Sequence, residues 1–253
     1  MRIETHFSAT EAEDGDISGR TAVVIDVIRA TSVIVEALAS GARAIYPTLT
    51  TEDAIRLANS LGREDTLLCG ERKGLKVEGF DLGNSPREFT PEAVADRRLV
   101  MSTTNGTRAF LAAHGADRVI ALSFLNLAAV ADTVGDAGSL ALICAGKEGR
   151  FSLDDALCAG LLIRTLTRRI EDGTLETTPP ELNDQSTAAL SLARAFSADV
   201  GTLERTAAGQ ALLEVGLGAD LPVCVRHDRH DLVPEMHDRM IRIPAPGRAT
   251  GAS

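Results

Sequence analysis

An α/β fold built on a largely parallel sheet is predicted by three observations. Continuous apolar and β-branched runs, above all Thr21 to Val27 (TAVVIDV) and Leu140 to Cys144 (LALIC), have the character of strands covered on both faces. Such runs alternate with segments carrying apolar residues at helical spacing, and short polar or glycine-bearing loops lie between them, which is the grammar of βα units. Finally, 253 residues with 44% hydrophobic and 25% charged content suffice for a sizeable core and are too apolar for a disordered chain.

The elements follow in order. Met1 to Phe7 alternates apolar and polar residues as an edge strand does, with His6 read as structural. Glu11 to Gly19 is read as an acidic loop. The buried strand Thr21 to Val27 carries Asp26 at its end, with Arg29 beyond it and a helix over Val33 to Ala39. Gly41-Ala42 caps that helix, Arg43 to Pro47 is the next strand, and Thr50-Thr51-Glu52-Asp53 opens a helix to Leu61. Leu67 to Cys69 is a short strand running into GERKGLKVEGFDLGNSPREF. The anchors Phe80 and Leu82 and the mixed charge of that long segment favour an ordered functional loop.

The same grammar then returns: strand Leu99 to Met101, helix Thr107 to Ala113, strand Arg118 to Leu122, polar Ser123 to Asn126, helix Leu127 to Val134. Gly115-Ala116 answers Gly41-Ala42. An internal duplication of βαβα units, about 21–64 and 98–136, is therefore expected within a single domain over 1–243. A third unit has strand Leu140 to Cys144, the loop AGKEGRFSLDD and a helix Ala156 to Arg169. A polar connector, Glu171 to Leu182, leads to helical patterns over Ser186 to Phe196 and Leu203 to Leu213. The cluster HDRHDLVPEMHD holds His227, His230 and His237 without the HxxxH spacing of a zinc helix and with Pro234 inside, so it is read as a solvated loop. A flexible tail follows over 244–253.

Composition narrows the partners. A net charge of -10 repels nucleic acid, and 3% aromatic content without tryptophan leaves no base-stacking platform. No apolar run approaches the ~18 residues of a membrane span and no leader pattern opens the chain. Cysteines 69, 144, 158 and 224 form no CxxC pair, so reduced thiols in the cytoplasm are expected.

Two loops invite an anion. In Arg98 to Phe110 (RLVMSTTNGTRAF) a strand passes through small and polar residues into a helix start, which leaves backbone N–H groups at the positive end of a helix. Ser102, Thr103, Thr104, Asn105 and Thr107 add side-chain donors and Arg108 a planar cation. The plainer alternative is an Asn-Gly turn capped by threonine. Gly146, Lys147, Glu148, Gly149 and Arg150 make a second such loop. Asp26 stands at the carboxyl end of a buried strand, where ligands sit in open α/β sheets, and a charge there is costly unless paired or metal-bound. An Asp26–Arg29 ion pair or a helix N-cap would also account for it. Asp154 and Asp155 stand at a helix start, where the dipole already favours carboxylates.

Taken together, VVIDVIRATS, GERKGLKVEGFDLGNSPREF, STTNGTRAF, SFLNLAAVA and CAGKEGRFSLDDALCAG, in uninterrupted order from about Ile25 to Gly160, resemble the 2-phosphosulfolactate phosphatase family. A weaker likeness covers Asp220 to Ile243, where Asp238-Arg239 stands in place of an expected Asp-Gly. The resemblance implies a magnesium-dependent acid phosphatase of three-layer α/β/α fold that hydrolyses 2-phospho-3-sulfolactate to 3-sulfolactate and phosphate.

Magnesium takes carboxylate, water and phosphate oxygens. Asp26, Glu71 and Glu148 are the candidate ligands, with Asp154 and Asp155 behind them. Asp26, Arg29, Arg108 and Glu148 are the candidate catalytic residues. Candidate substrate contacts are Thr31, Arg72, Asn84, Ser85, Ser102, Thr103, Thr104, Asn105, Gly106, Thr107, Asn126, Gly146, Lys147 and Arg150. A metal-activated water is the first choice of nucleophile and a phosphorylated Asp26 the second. Asp26 holds the strand-end position of the nucleophilic aspartate in haloacid dehalogenase phosphatases, but Ile28 stands where their second aspartate would be. A thiol is disfavoured, because Cys144 and Cys158 lie in apolar surroundings. The competing readings are a phosphatase for another small phosphorylated hydroxy acid and a non-catalytic sensor of a phosphorylated metabolite. The expected partners are a small anionic phosphorylated substrate and a second copy of the chain in a homodimer, with no nucleic acid and no membrane.

Overall fold

The computed structural model describes residues 1–13 and 15–244, so the tail expected beyond Pro244 lies outside the described residues. In chain order, β1 (Arg2–His6) is followed by α1 (Ala9–Glu13), β2 (Thr21–Ile25), α2 (Ala30–Ala39), β3 (Ala44–Pro47) and α3 (Thr51–Leu61). Next come β4 (Thr66–Arg72), β5 (Leu75–Lys76), α4 (Pro91–Val94), β6 (Arg98–Ser102), α5 (Gly106–Ala112), β7 (Arg118–Leu122) and α6 (Leu127–Val134). The last third holds β8 (Ser139–Cys144), α7 (Leu153–Glu171), β9 (Glu181–Leu182), α8 (Asp184–Ala195), α9 (Val200–Arg205), α10 (Ala207–Glu214) and α11 (Leu221–Cys224). A hairpin of β10 (Glu235–His237) and β11 (Met240–Arg242) closes the described chain.

These strands form one sheet in the order β5-β4-β6-β3-β11-β10-β7-β2-β8-β1-β9. One parallel block contains β4, β6 and β3; a second contains β7, β2, β8, β1 and β9. Between them the β10–β11 hairpin makes three antiparallel junctions, pairing Ile241 with Ile45 on one side and Glu235 with Ile120 on the other. Three reversals leave the blocks running in opposite senses, so the sheet is mostly parallel yet mixed.

The hairpin corrects the reading of 227–238 as a solvated loop. Asp238 and Arg239 have φ of 49° and 61°, the left-handed values a two-residue type I′ turn requires at both central positions. The usual Asp-Gly signal is masked because arginine occupies the glycine position. A second correction is α1, which takes up part of the segment read as an acidic loop.

The three layers follow from strand alternation. β2 is buried along its whole length, sending Val23 and Ile25 to one face and Ala22 and Val24 to the other. The first face packs under α6 and α7 through Leu127, Val130, Leu157 and Leu162. The second packs under α2 and α5 through Val33, Ile34, Ala109 and Phe110. β8 repeats the pattern, with Leu140 and Leu142 opposite Ala141 and Ile143. Covering both faces is why these strands read as unbroken apolar runs. Among the described residues no helix is long and apolar enough to cross a membrane.

Candidate active site

A cleft of about 690 Å³ opens where the loops after β2, β4, β6 and β8 meet, with α10 as a further wall. Four strand ends, two from each block, thus supply one site. At its floor Asp26 is buried. Its Oδ1 accepts the Ala30 N–H at 3.1 Å, while the Thr31 hydroxyl donates to the Asp26 carbonyl at 2.8 Å and starts α2 against the strand end. Asp155 accepts the Val27 N–H at 2.8 Å and the Gly146 N–H at 3.0 Å, tying the β2 loop to the β8 loop. Asp154 accepts the Ser152 hydroxyl at 2.5 Å.

These carboxyls crowd one another. Burial, with the charges of Asp154 and Glu71 adding to it, pushes Asp26 up from its ordinary 3.8 to about 7, against the opposing Ala30 N–H and Arg29. Burial also raises Asp154, and raises Asp155 well above the carboxylate range, where the neighbouring Asp154 and Asp26 charges add to it. Gly106 permits this assembly: a Cβ there would stand 2.4 Å from the Ala30 Cβ and 2.7 Å from Asp26 Oδ2. Only glycine lets the start of α5 approach the β2 loop so closely.

Around this floor stand donors and cations. Arg29, Lys73 and Lys147 line the cleft, as do Asn84, Thr103, Thr104, Asn105, Gly146 and Glu148. Many of the backbone donors in the β6 loop are held by the protein itself. The Thr103 and Thr107 N–H groups donate to each other's hydroxyls at 3.1 and 3.2 Å, and Thr104 N–H donates to Glu71 Oε1 at 2.7 Å. Asn105 Oδ1 accepts the Glu148 N–H at 3.1 Å, joining the β6 and β8 loops across the cleft.

Several expected site residues lie elsewhere. Arg108 projects outward and clasps Glu13 with Nε and Nη2 at 2.8 and 2.7 Å. Arg72 spends its fork on the carbonyls of Glu71, Leu49 and Ser102 and on the Ser102 hydroxyl, so neither Arg72 nor Ser102 reaches the cleft lining. Thr31 and Thr107 are buried loop and helix caps. Asn126 closes a turn, accepting the Ser123 N–H and donating to the Ala121 and Leu232 carbonyls. Ser85 donates to Asp220. Arg150 is exposed, its backbone pairing with Lys147. Arg29 makes its ion pair with Asp220, not with Asp26.

Sequence reasoning overlooked the α10 wall, where Ala207, Ala208, Ala211 and Leu212 stand beside Gln210 and Glu214, together with Lys73 and Asp220. The only available signal was Arg29 itself, which at a buried strand end had to find an acid somewhere. The histidines at 227, 230 and 237 go separately to Phe124, Glu36 and Glu235. Cys144 and Cys158 are buried, and that burial raises their thiols well above the usual range.

The fit of magnesium to this cleft depends on the donors that converge there. Among the described residues no three His, Cys, Asp or Glu side chains converge as a metal group, so the set Asp26, Glu71, Glu148 is not assembled. Glu71 gives its oxygens to the Gly74 and Thr104 N–H groups, and Glu148 is exposed at the rim. Magnesium, however, is commonly held by one or two carboxylates, with waters and substrate phosphate completing the shell. The crowded, all-oxygen floor of Asp26 and Asp154 fits that demand, since a cation there would relieve mutual repulsion.

Fold and cleft define a class: an α/β protein whose converging strand ends set buried carboxyls against arginine and lysine, a site suited to a small anion. The family model for 2-phosphosulpholactate phosphatase matches residues 6–239. A protein of Clostridium acetobutylicum named probable 2-phosphosulfolactate phosphatase is 36% identical over 93% of this chain and 97% of its own. Proteins of the same name from Caldanaerobacter subterraneus subsp. tengcongensis and Thermotoga petrophila are 35% and 38% identical, covering 96% and 86% of this chain and 98% and 89% of theirs. The chain belongs to the 2-phosphosulpholactate phosphatase family.

Proposed function

We propose that the protein is a magnesium-dependent phosphatase that hydrolyses 2-phospho-3-sulfolactate to 3-sulfolactate and phosphate. The observation that carries this reading is the meeting of Asp26, Asp154 and Asp155 with Arg29, Lys147 and the β6 loop in one cleft, in a chain whose relatives bear that name along their whole length. In the reaction a bond forms from a water oxygen to phosphorus, the ester P–O bond breaks, and a proton passes to the leaving alkoxide. Asp26 and Asp154 would hold the cation, which when bound supplies charge to the phosphoryl oxygens and lowers the pKa of water. Lys147 and Arg29 bind and orient the anionic groups, and Asp155 fixes the β2 and β8 loops relative to each other. α10 walls the other side with Ala208, Ala211 and Leu212 beside Gln210 and Glu214. Four buried free cysteines agree with work in a reducing cytoplasm.

Phosphate release from a panel of phosphorylated hydroxy acids, with magnesium and with chelator, tests the reading. The expected result is magnesium-dependent release, fastest from 2-phospho-3-sulfolactate. Tight phosphate binding without release from any ester would instead favour a sensor.

A further inference from the structure

We infer that Asp220 is a positioning residue for the cleft, holding the Arg29 guanidinium so that its remaining donors meet the anionic substrate; this rests on reading the cleft as a phosphoester site. Asp220 is fully buried and is absent from the cleft lining. Its Oδ2 accepts Arg29 Nη1 at 2.7 Å and its Oδ1 accepts the Ser85 hydroxyl at 2.6 Å. With both oxygens engaged, the carboxylate plane is fixed.

Arg29 in turn lines the cleft while only 4% exposed, and its Nη2 donates to the Gly74 carbonyl at 2.7 Å. Among the described residues only these two contacts use its fork, which has five N–H groups. The Gly74 N–H donates to Glu71 at 2.8 Å, and Glu71 takes the Thr104 N–H at 2.7 Å. One hydrogen-bond chain therefore runs from Ser85 through Asp220, Arg29, Gly74 and Glu71 to Thr104, linking the β2, β4 and β6 loops to the C-terminal segment.

Asn84, adjacent to Ser85, lines the cleft with a buried Oδ1 that no donor among the described residues reaches. Such an atom in a pocket wall points to a ligand or water that completes it. An arginine fork held from behind presents planar, bidentate geometry to an anion, whereas a free one must be ordered at each binding event. Asp220 touches no substrate atom; it acts through Arg29 and, by way of Ser85, on Asn84.

The test uses the full chain as Asp220→Asn and Ser85→Ala, with kcat and KM measured on a phosphoester the wild type hydrolyses and inorganic phosphate binding measured by calorimetry. Asp220→Asn should weaken phosphate binding and raise KM by about tenfold, and Ser85→Ala by about threefold, as expected for hydrogen bonds to charged groups. In an Arg29→Met background Asp220→Asn should add nothing further. A structural role alone would lower Tm and leave both affinities in place. Folded variants that keep phosphate affinity and KM within about twofold of wild type overturn the inference. Should Asp220→Asn not fold, as happens when one partner of a buried pair is removed, Ser85→Ala decides alone by the same criterion. A wild type that neither binds phosphate nor hydrolyses any phosphoester refutes the reading of the cleft and the inference with it, an outcome distinct from wild-type-like variants of an active enzyme.

Discussion

Asp26 shows how burial becomes a measurable property of a single side chain. Its carboxyl rises from 3.8 to about 7, chiefly through desolvation. The folded state therefore holds the proton more tightly than the unfolded chain. Stability from this group is fully present below about pH 4 and is lost as pH rises through about 7. Asp26→Asn has no such charge to bury. In thermal melts its Tm should match wild type near pH 4 and exceed it near pH 8; a Tm difference independent of pH would contradict the raised value. Arg108 makes the opposite case. Its fork is satisfied by Glu13 at the surface, so Arg108→Lys should leave kcat/KM within about twofold in steady-state assays. Arg108 was attractive in the sequence because it follows an anion-friendly loop. Helix geometry decides otherwise, since Gly106, two positions earlier, is the residue of α5 that abuts Asp26.

Among the elements, those with continuous apolar runs were legible: β2, β6, β7 and β8 and the helices after them overlap the segments that periodicity marks, with α2 and α7 each opening three residues earlier than expected. Burial on both faces writes itself into composition. The hairpin β10–β11 was not legible, because each strand has three residues and each makes only one pairing outward. Its turn chemistry was also obscured by Arg239 in the left-handed region. Arg239→Gly should remove that strain and stabilise the protein by about 0.5–1 kcal/mol in urea melts. A destabilised variant would show that the Arg239 side chain contributes more than its backbone costs. α1 escaped because ATEAE is too short to show a period. Within the site, the acids at strand ends and the glycine loops could be read from the sequence. The pairing of Arg29 with Asp220 could not, since nothing local selects one acid among many across 191 positions.

At the scale of the whole molecule, the loops after β2 and β6 and those after β4 and β8 approach one cleft from two oppositely directed blocks. The units proposed to be repeats, β2-α2-β3-α3 and β6-α5-β7-α6, cross between blocks so that β2 pairs with β7 and β3 with β6. A fold so interlaced places buried like charges from different segments side by side, and its stability should respond to whatever neutralises them. Magnesium should raise Tm, and more at about pH 8 than at about pH 5, because protons compete for the same carboxylates. Equal shifts at both pH values, or none, would remove the acid floor as the cation site.

Phosphoester hydrolysis on this acid floor, as proposed above, is decided by a single comparison. Wild type and Asp26→Asn are supplied with 2-phospho-3-sulfolactate and saturating magnesium, and released phosphate is followed. Wild type should turn over and stop on addition of chelator, and kcat should fall by roughly a hundredfold or more in a folded Asp26→Asn protein. Near wild-type turnover by Asp26→Asn would overturn the catalytic role of the acid floor.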